Sequence, residues 1–158
     1  MKTFLKTLSV VLLASFTVLG QETRTNVIQF DHAEYLKPAS GEKPKSLSAV
    51  PGTLAFDQTR KSVEFVDGKG SAAFSIKYDA IKSMLYERTS KPRYVAAILI
   101  SPFFLFAHSK KHFLTIQYTD DAGAGQYALI HLDKKNARAA VAAAEAATGK
   151  KVEREEEK

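Results

Sequence analysis

Cysteine is absent from this chain. No disulfide can staple the fold, no thiolate can bind a metal, and no lipoprotein-type attachment point exists. Stability must come from an ordinary hydrophobic core. Long apolar runs are also lacking. The two uncharged stretches, Leu8–Leu19 and Tyr94–Ala107, both fall short of the roughly 20 residues that one bilayer-spanning helix needs. Charge of one sign is in only modest excess, at +6 over 158 residues. So small a balance is a weak basis for a polyanionic partner; where the charges stand matters more than their sum.

What is present begins with an export pattern. Lys2 and Lys6 supply a basic start, and Leu8–Leu19 supplies a short apolar segment. Val18 and Gly20 are small enough for the −3 and −1 positions of a cleavage site, which sets the cut before Gln21. The competing reading is a retained anchor. The shortness of the run and the polar sequence after it favour cleavage. Residues 1–20 are therefore read as a signal peptide. Cleavage leaves 138 residues, 158 less the first 20, and lowers the charge from +6 to +4 through the loss of two lysines. That is one domain's worth of chain. The expected location is periplasmic or secreted, or peripheral to a membrane.

Residues 21–51 read as an N-terminal extension and linker. Val27–Phe30 is its one short apolar run, and Pro38, Pro44 and Pro51 stand among Ser, Gly and Lys. The compact domain is expected over 52–151. Leu54 and Phe56 alternate with polar positions, and so do Val63 and Phe65, with a turn at Asp57–Lys61. A second turn falls at Asp67–Gly70, where glycines accept positive φ. Ala72, Phe74, Ile76 and Tyr78 share one face of the next run, and Ile81–Tyr86 is a further apolar segment. Leu114, Ile116 and Tyr118 line one face of His112–Thr119. Asp120–Gly125 is a hairpin loop, and Gln126–Leu132 is its return strand. The period then changes. Asp133 suits an N-cap, Lys134–Thr148 is rich in alanine, and Gly149 suits the C′ position, with Lys150 and Lys151 at the negative end of the dipole. Ala137, Ala140, Val141 and Ala144 form a small-residue face that can pack closely on a sheet. Val152–Lys158 is a charged tail, expected to fray.

This order of elements resembles the pleckstrin-homology-like (PH-like) barrel, including its bacterial PH and GRAM-like branches. The residues that carry the likeness are Pro51-Gly52-Thr53-Leu54, the runs 74–87 and 110–120, and Thr148-Gly149-Lys150-Lys151. The chain is also similar to exported, single-domain bacterial proteins that place an apolar insert before a lysine-rich strand. The likeness covers about residues 50–152. It implies a mainly β fold with one C-terminal α-helix, about seven antiparallel strands in a barrel capped by the helix, and binding rather than catalysis. Lipid-binding members carry their basic residues in the first hairpin loop. Here Asp57–Lys61 corresponds to that loop and offers only Arg60 and Lys61, which does not support phosphoinositide binding.

Catalytic and metal patterns are weak. His108 and His112 stand four apart, but no third ligand is evident and Lys110 and Lys111 would repel a cation. His32 and His131 stand alone. Gly70-Ser71 lacks the later glycine of a nucleophile elbow. Thr148-Gly149-Lys150 lacks the upstream glycine of a phosphate loop. Asp120 and Asp121 lack further oxygen ligands for calcium. No cofactor, metal site or catalytic residue is expected. Nucleic acid is not an expected partner, because no basic residues interleave with an aromatic platform.

The remaining feature is Tyr94–Ala107, uncharged and broken once at Ser101-Pro102. Arg88, Lys91 and Arg93 precede it; Lys110 and Lys111 follow it. One reading makes it a buried strand or a protein contact, with Phe103, Phe104 and Phe106 under the fold or against a partner. The other makes it a hairpin that dips into a membrane surface, with the five bases meeting anionic headgroups. The expected partner is thus a protein, a second copy included, or an anionic membrane surface.

Overall fold

The structure, a computed structural model, describes residues 26–38, 47–90, 92–93 and 110–156. Among the described residues, eight strands and one α-helix follow in the order β1 Val27–Pro38, β2 Leu47–Asp57, β3 Ser62–Asp67, β4 Ala72–Lys77, β5 Ile81–Thr89, β6 Lys111–Thr119, β7 Gly125–Leu132, α1 Ala137–Thr148 and β8 Val152–Glu156, with a 3-10 turn at Tyr78–Ala80. All eight strands form one sheet, ordered β4-β3-β2-β1-β7-β6-β5-β8. The expected closed barrel of about seven strands is thus corrected to an open eight-stranded sheet with a C-terminal helix packed on it.

Alternation explains the sheet's inner face. Leu54 pairs with Phe65, Phe56 with Val63, Phe65 with Phe74 and Val63 with Ile76. These side chains stack across neighbouring strands on one face, which is the unit of sheet stabilisation. Tyr35, Phe65 and Phe74 pack ring against ring with centroids 5.0–5.9 Å apart. The far half continues the same core with Met84, Leu114, Ile116 and Ile130. Helix α1 lies over this face, packed on β2, β6 and β8, and buries Ala137, Ala140, Val141, Ala143, Ala144 and Ala147. A smaller cluster of Leu36, Leu47, Phe113 and Leu129 lies on the opposite side of the sheet.

The turns fall where glycine and aspartate require them. Asp67 accepts the Lys69 and Ser71 N–H groups at 2.9 and 2.8 Å, with Gly70 at φ 84°. Asp120 does the same for Ala122 and Ala124, with Gly123 at φ 82°. Gly149 ends α1 in the left-handed conformation, its N–H donating to the Glu145 carbonyl at 2.9 Å.

Three boundaries differ from the sequence expectation. The sheet begins at Val27, not near Gly52, because β1 and β2 pair as a long hairpin through the proline-containing region. Pro51 is accommodated in β2 as an acceptor, its carbonyl taking the Gly68 N–H at 3.1 Å. Helix α1 begins at Ala137 rather than Lys134. Asp133 instead organises the preceding turn, accepting the Lys135 N–H on Oδ1 at 2.7 Å and the Asn136 and Ala137 N–H groups on its carbonyl. The charged tail forms β8, parallel to β5. Val152 enters the core at 1% exposure, and Glu145 on α1 holds both the Val152 N–H and the Arg154 guanidinium.

Strand β1 is bent by a bulge between Phe30 and Ala33, where exposed His32 takes φ 57°. Past the bulge, Glu34 and Tyr35 pair with His131 and Ile130 of β7. This short ladder joins the two halves of the sheet. His131 accordingly has a structural role, with Nδ1 2.9 Å from Glu34 Oε2.

Candidate functional site

On the helix side of the sheet, the end of β5, the start of β6 and the middle of β8 face the first turns of α1. Tyr86 and Arg88 lie on the same side of β5 as core Met84; His112 lies on the same side of β6 as Leu114; Arg154 follows Val152 on β8. Between these strand segments and α1 runs a groove of about 680 Å³. Its walls carry Arg88, Lys134, Lys135, Arg138 and Arg154 with His112, while Ala137, Val141 and Ala142 supply an apolar floor.

The charges are unevenly matched. Arg154 is held by Glu145 at 2.8 Å. Among the described residues, no carboxylate forms an ion pair with Arg88, Lys134, Lys135 or Arg138, all of which are exposed. No acidic side chain is among the described lining residues. Cations concentrated along a recess raise the local concentration of an anionic ligand.

His112 sits at the inner wall. Its Nδ1 is 2.6 Å from the Tyr86 hydroxyl, and the two rings stack at 6.0 Å and 22°. Burial, followed by the Arg88, His131 and Lys134 charges, lowers its pKa below the ordinary value, with Asp133 acting weakly in the other direction. His112 is therefore neutral at neutral pH, and the direction of its hydrogen bond with the Tyr86 hydroxyl follows the imidazole tautomer. His112 thus stands at the start of β6, half-buried; His108 lies outside the described residues. No group of three or more His, Asp or Glu side chains able to hold a metal exists among the described residues.

The residues singled out beside the apolar stretch divide into separate environments. Arg88 lines the groove. Arg93 is already ion-paired with Glu155, and its N–H donates to Glu87 Oε1 at 3.0 Å. Glu87 is buried, and desolvation raises its pKa against the opposing pull of the Arg93 N–H. Lys110 is exposed and Lys111 half-buried at the start of β6. Lys91, Phe103, Phe104 and Phe106 lie outside the described residues. Tyr86, Lys134, Lys135, Arg138 and Arg154 were not anticipated as site residues. The one legible signal was the i, i+4 spacing of Lys134 and Arg138.

The loop Asp57–Lys61 connects β2 to β3, so it is the second hairpin loop; the first, 39–46, lies outside the described residues. Arg60 is committed there to Asp57 at 2.6 Å and Glu64 at 2.9 Å. Those contacts, led by the Arg60 N–H and side chain, hold the Asp57 carboxyl below its usual range. A shallower recess of about 470 Å³ beside this loop includes Tyr78, whose hydroxyl burial pushes up to about 12. No helix among the described residues is long and apolar enough to cross a membrane.

No protein-family model matches the sequence, and no curated protein matches it. Among solved structures, the chain is similar to the Spt16D–Pob3N heterodimer, with 13% identity and a TM-score of 0.50. The likeness covers 84% of this chain and 55% of that one, so the chain spans about half the length of its structural neighbour. At that identity the likeness concerns fold alone, and it supports a PH-like β fold with a packed helix.

Proposed function

We propose that the protein is an exported, non-catalytic binding module that engages a protein partner at the end of the sheet where the groove opens. The observation that carries this reading is the groove itself, where four exposed cations stand without a carboxylate partner among the described residues. Of the described residues that precede and follow the apolar insert 94–107, Arg88 and Thr89 at the end of β5 pair with His112 and Lys111 at the start of β6, beside the groove. Insert and groove together form the contact surface, with the insert covered by a partner or by a second copy. The structural neighbour is itself part of a heterodimer, which agrees with a protein partner.

Membrane-surface binding is the second reading, favoured by the five bases flanking an uncharged stretch. It is weaker here because Arg93 is already paired with Glu155, leaving less free charge for headgroups. Light scattering after size exclusion, run beside flotation on anionic vesicles, tests the two. We expect wild type to stay off the vesicles and to elute larger than a monomer. Phe103→Ser with Phe104→Ser should return it to monomer at an unchanged melting temperature. Flotation that high salt and the serines abolish would give the membrane reading instead. A lowered melting temperature would make the segment core and remove it from the contact surface.

Export rests on the basic start, the short apolar run and the Val18-x-Gly20 pattern. Mass spectrometry of the native protein is expected to find Gln21 at the N-terminus. A stable cytoplasmic product that keeps Met1 would overturn that part.

A further inference from the structure

We propose that the groove between α1 and strands β5, β6 and β8 is a docking site for an extended acidic peptide segment of a partner protein. The inference rests on the binding-module reading and specifies the chemistry that its groove selects.

Three features define the occupant. The first is charge. Arg88, Lys134, Lys135 and Arg138 all line the recess, and none has a carboxylate partner among the described residues. Their complement is a polyanion. The second is distribution. Arg88 ends a strand, Lys134 and Lys135 lie in the turn before α1, and Arg138 lies in its first turn. An extended chain with carboxylates spaced along it can meet bases that come from a strand, a turn and a helix in succession. The third is the floor. Exposed Ala142, over buried Ala137 and Val141, offers a small apolar patch that suits a short aliphatic side chain between the acids.

The same features disfavour other polyanions. Single-stranded nucleic acid needs exposed aromatic faces for its bases. The aromatic in this groove, Tyr86, is half-buried and already stacked on His112. A headgroup layer is flat, whereas these cations are set along a recess walled by a helix and three strands.

His112 makes the docking pH-sensitive. The groups that act on it are Arg88 from β5, His131 from β7, and Lys134 and Asp133 from the turn before α1, with Tyr86 bonded to its ring. Burial first, and the cations after it, hold its pKa down; a carboxylate entering the groove opposes the cations' share, so the bound state takes up a proton more readily. By linkage, binding strengthens as pH falls through the range where His112 protonates. It weakens again only when the ligand's own carboxylates protonate.

The test is fluorescence polarisation with a labelled peptide of alternating Glu and Ala and its Gln counterpart, beside flotation on anionic vesicles. The Glu peptide should bind and the Gln peptide should not. Lys134→Glu with Arg138→Glu should weaken binding by at least about tenfold, at an unchanged melting temperature. Should that variant fail to fold, Arg88→Gln with Lys135→Gln removes charge more gently and should weaken binding in the same direction. Affinity should rise on acidification below about pH 6.5, the ordinary imidazole value under which His112 lies, and His112→Asn should flatten that slope. Failure of the Glu peptide to bind, or binding that survives loss of the cations, overturns the peptide site. If vesicles bind through these cations while the peptide does not, the peptide site falls and the module reading survives with a membrane partner. If peptide and vesicles both fail and the protein is a monomer, the module reading falls with it.

Discussion

Ending the chain at Leu132 is expected to leave a protein that does not fold. The deletion removes α1 and β8, and with them the cover over the inner face. Leu54, Phe56, Met84, Leu114, Ile116 and Ile130 are all buried in the cluster that α1 and Val152 complete. Fully burying one such side chain is worth roughly 1.5–3 kcal/mol. Exposing only a few of them offsets the whole stability of an ordinary domain, about 5–15 kcal/mol. Polar contacts are lost as well, because Glu145 ties the helix to the Val152 N–H and to Arg154. The truncated chain should aggregate or lack a cooperative thermal transition followed by circular dichroism. A truncated protein with the full-length melting temperature would show that the helix is not part of the core.

The sequence displayed elements that bury one face and hid those stabilised in other ways. β3, β4, β6, β7 and the alanine-rich helix were legible because each carries its own apolar period and is bounded by Gly or Asp turns. β8 was not, since only Val152 in that tail faces the core. Its register comes from backbone pairing with β5 and from Glu145, a residue seven positions earlier. The second half of β1 and the first half of β2 were obscured by prolines, while Val27–Phe30 and the alternation of Leu54 and Phe56 showed only their far ends. Local composition cannot reveal that a proline carbonyl finds a donor in the turn that follows a neighbouring strand. Closure was misjudged for a related reason. Alternation reports which face is buried, whereas an open or closed sheet depends on whether its edge strands meet, and here β4 and β8 are the edges. The groove was the least legible feature. Arg88 reaches the lysines of the turn before α1 only because β5 pairs with β6, setting Arg88 opposite His112, and because α1 folds back over that strand end. No spacing along the chain encodes that meeting. Arg93 shows the converse, since a base that looked available in sequence is occupied by Glu155.

Gly52→Ala is the point change expected to cost most. In sequence, Pro51-Gly52 resembles a turn that opens a domain. In the fold, Gly52 is inside β2, between Ala33 of β1 and Asp67 of β3. A Cβ added there would lie 2.1 Å from the Val66 carbonyl oxygen, 2.7 Å from Phe65 Cε1 and 3.0 Å from Asp67 Cα. Two of those three atoms are backbone and cannot step aside without opening the β2–β3 ladder. The third belongs to a fully buried ring that packs against Tyr35 and Phe74. Relief at one contact therefore disturbs either the sheet or the aromatic core. We expect destabilisation of at least about 3 kcal/mol, at the upper end for overpacking. Gly68→Ala is the matched control, because its added Cβ meets nothing closer than the Pro51 carbonyl oxygen at 3.9 Å. Denaturant unfolding of the two variants separates them. A Gly52→Ala midpoint equal to that of Gly68→Ala would mean that β2 and β3 do not approach as closely as this register requires.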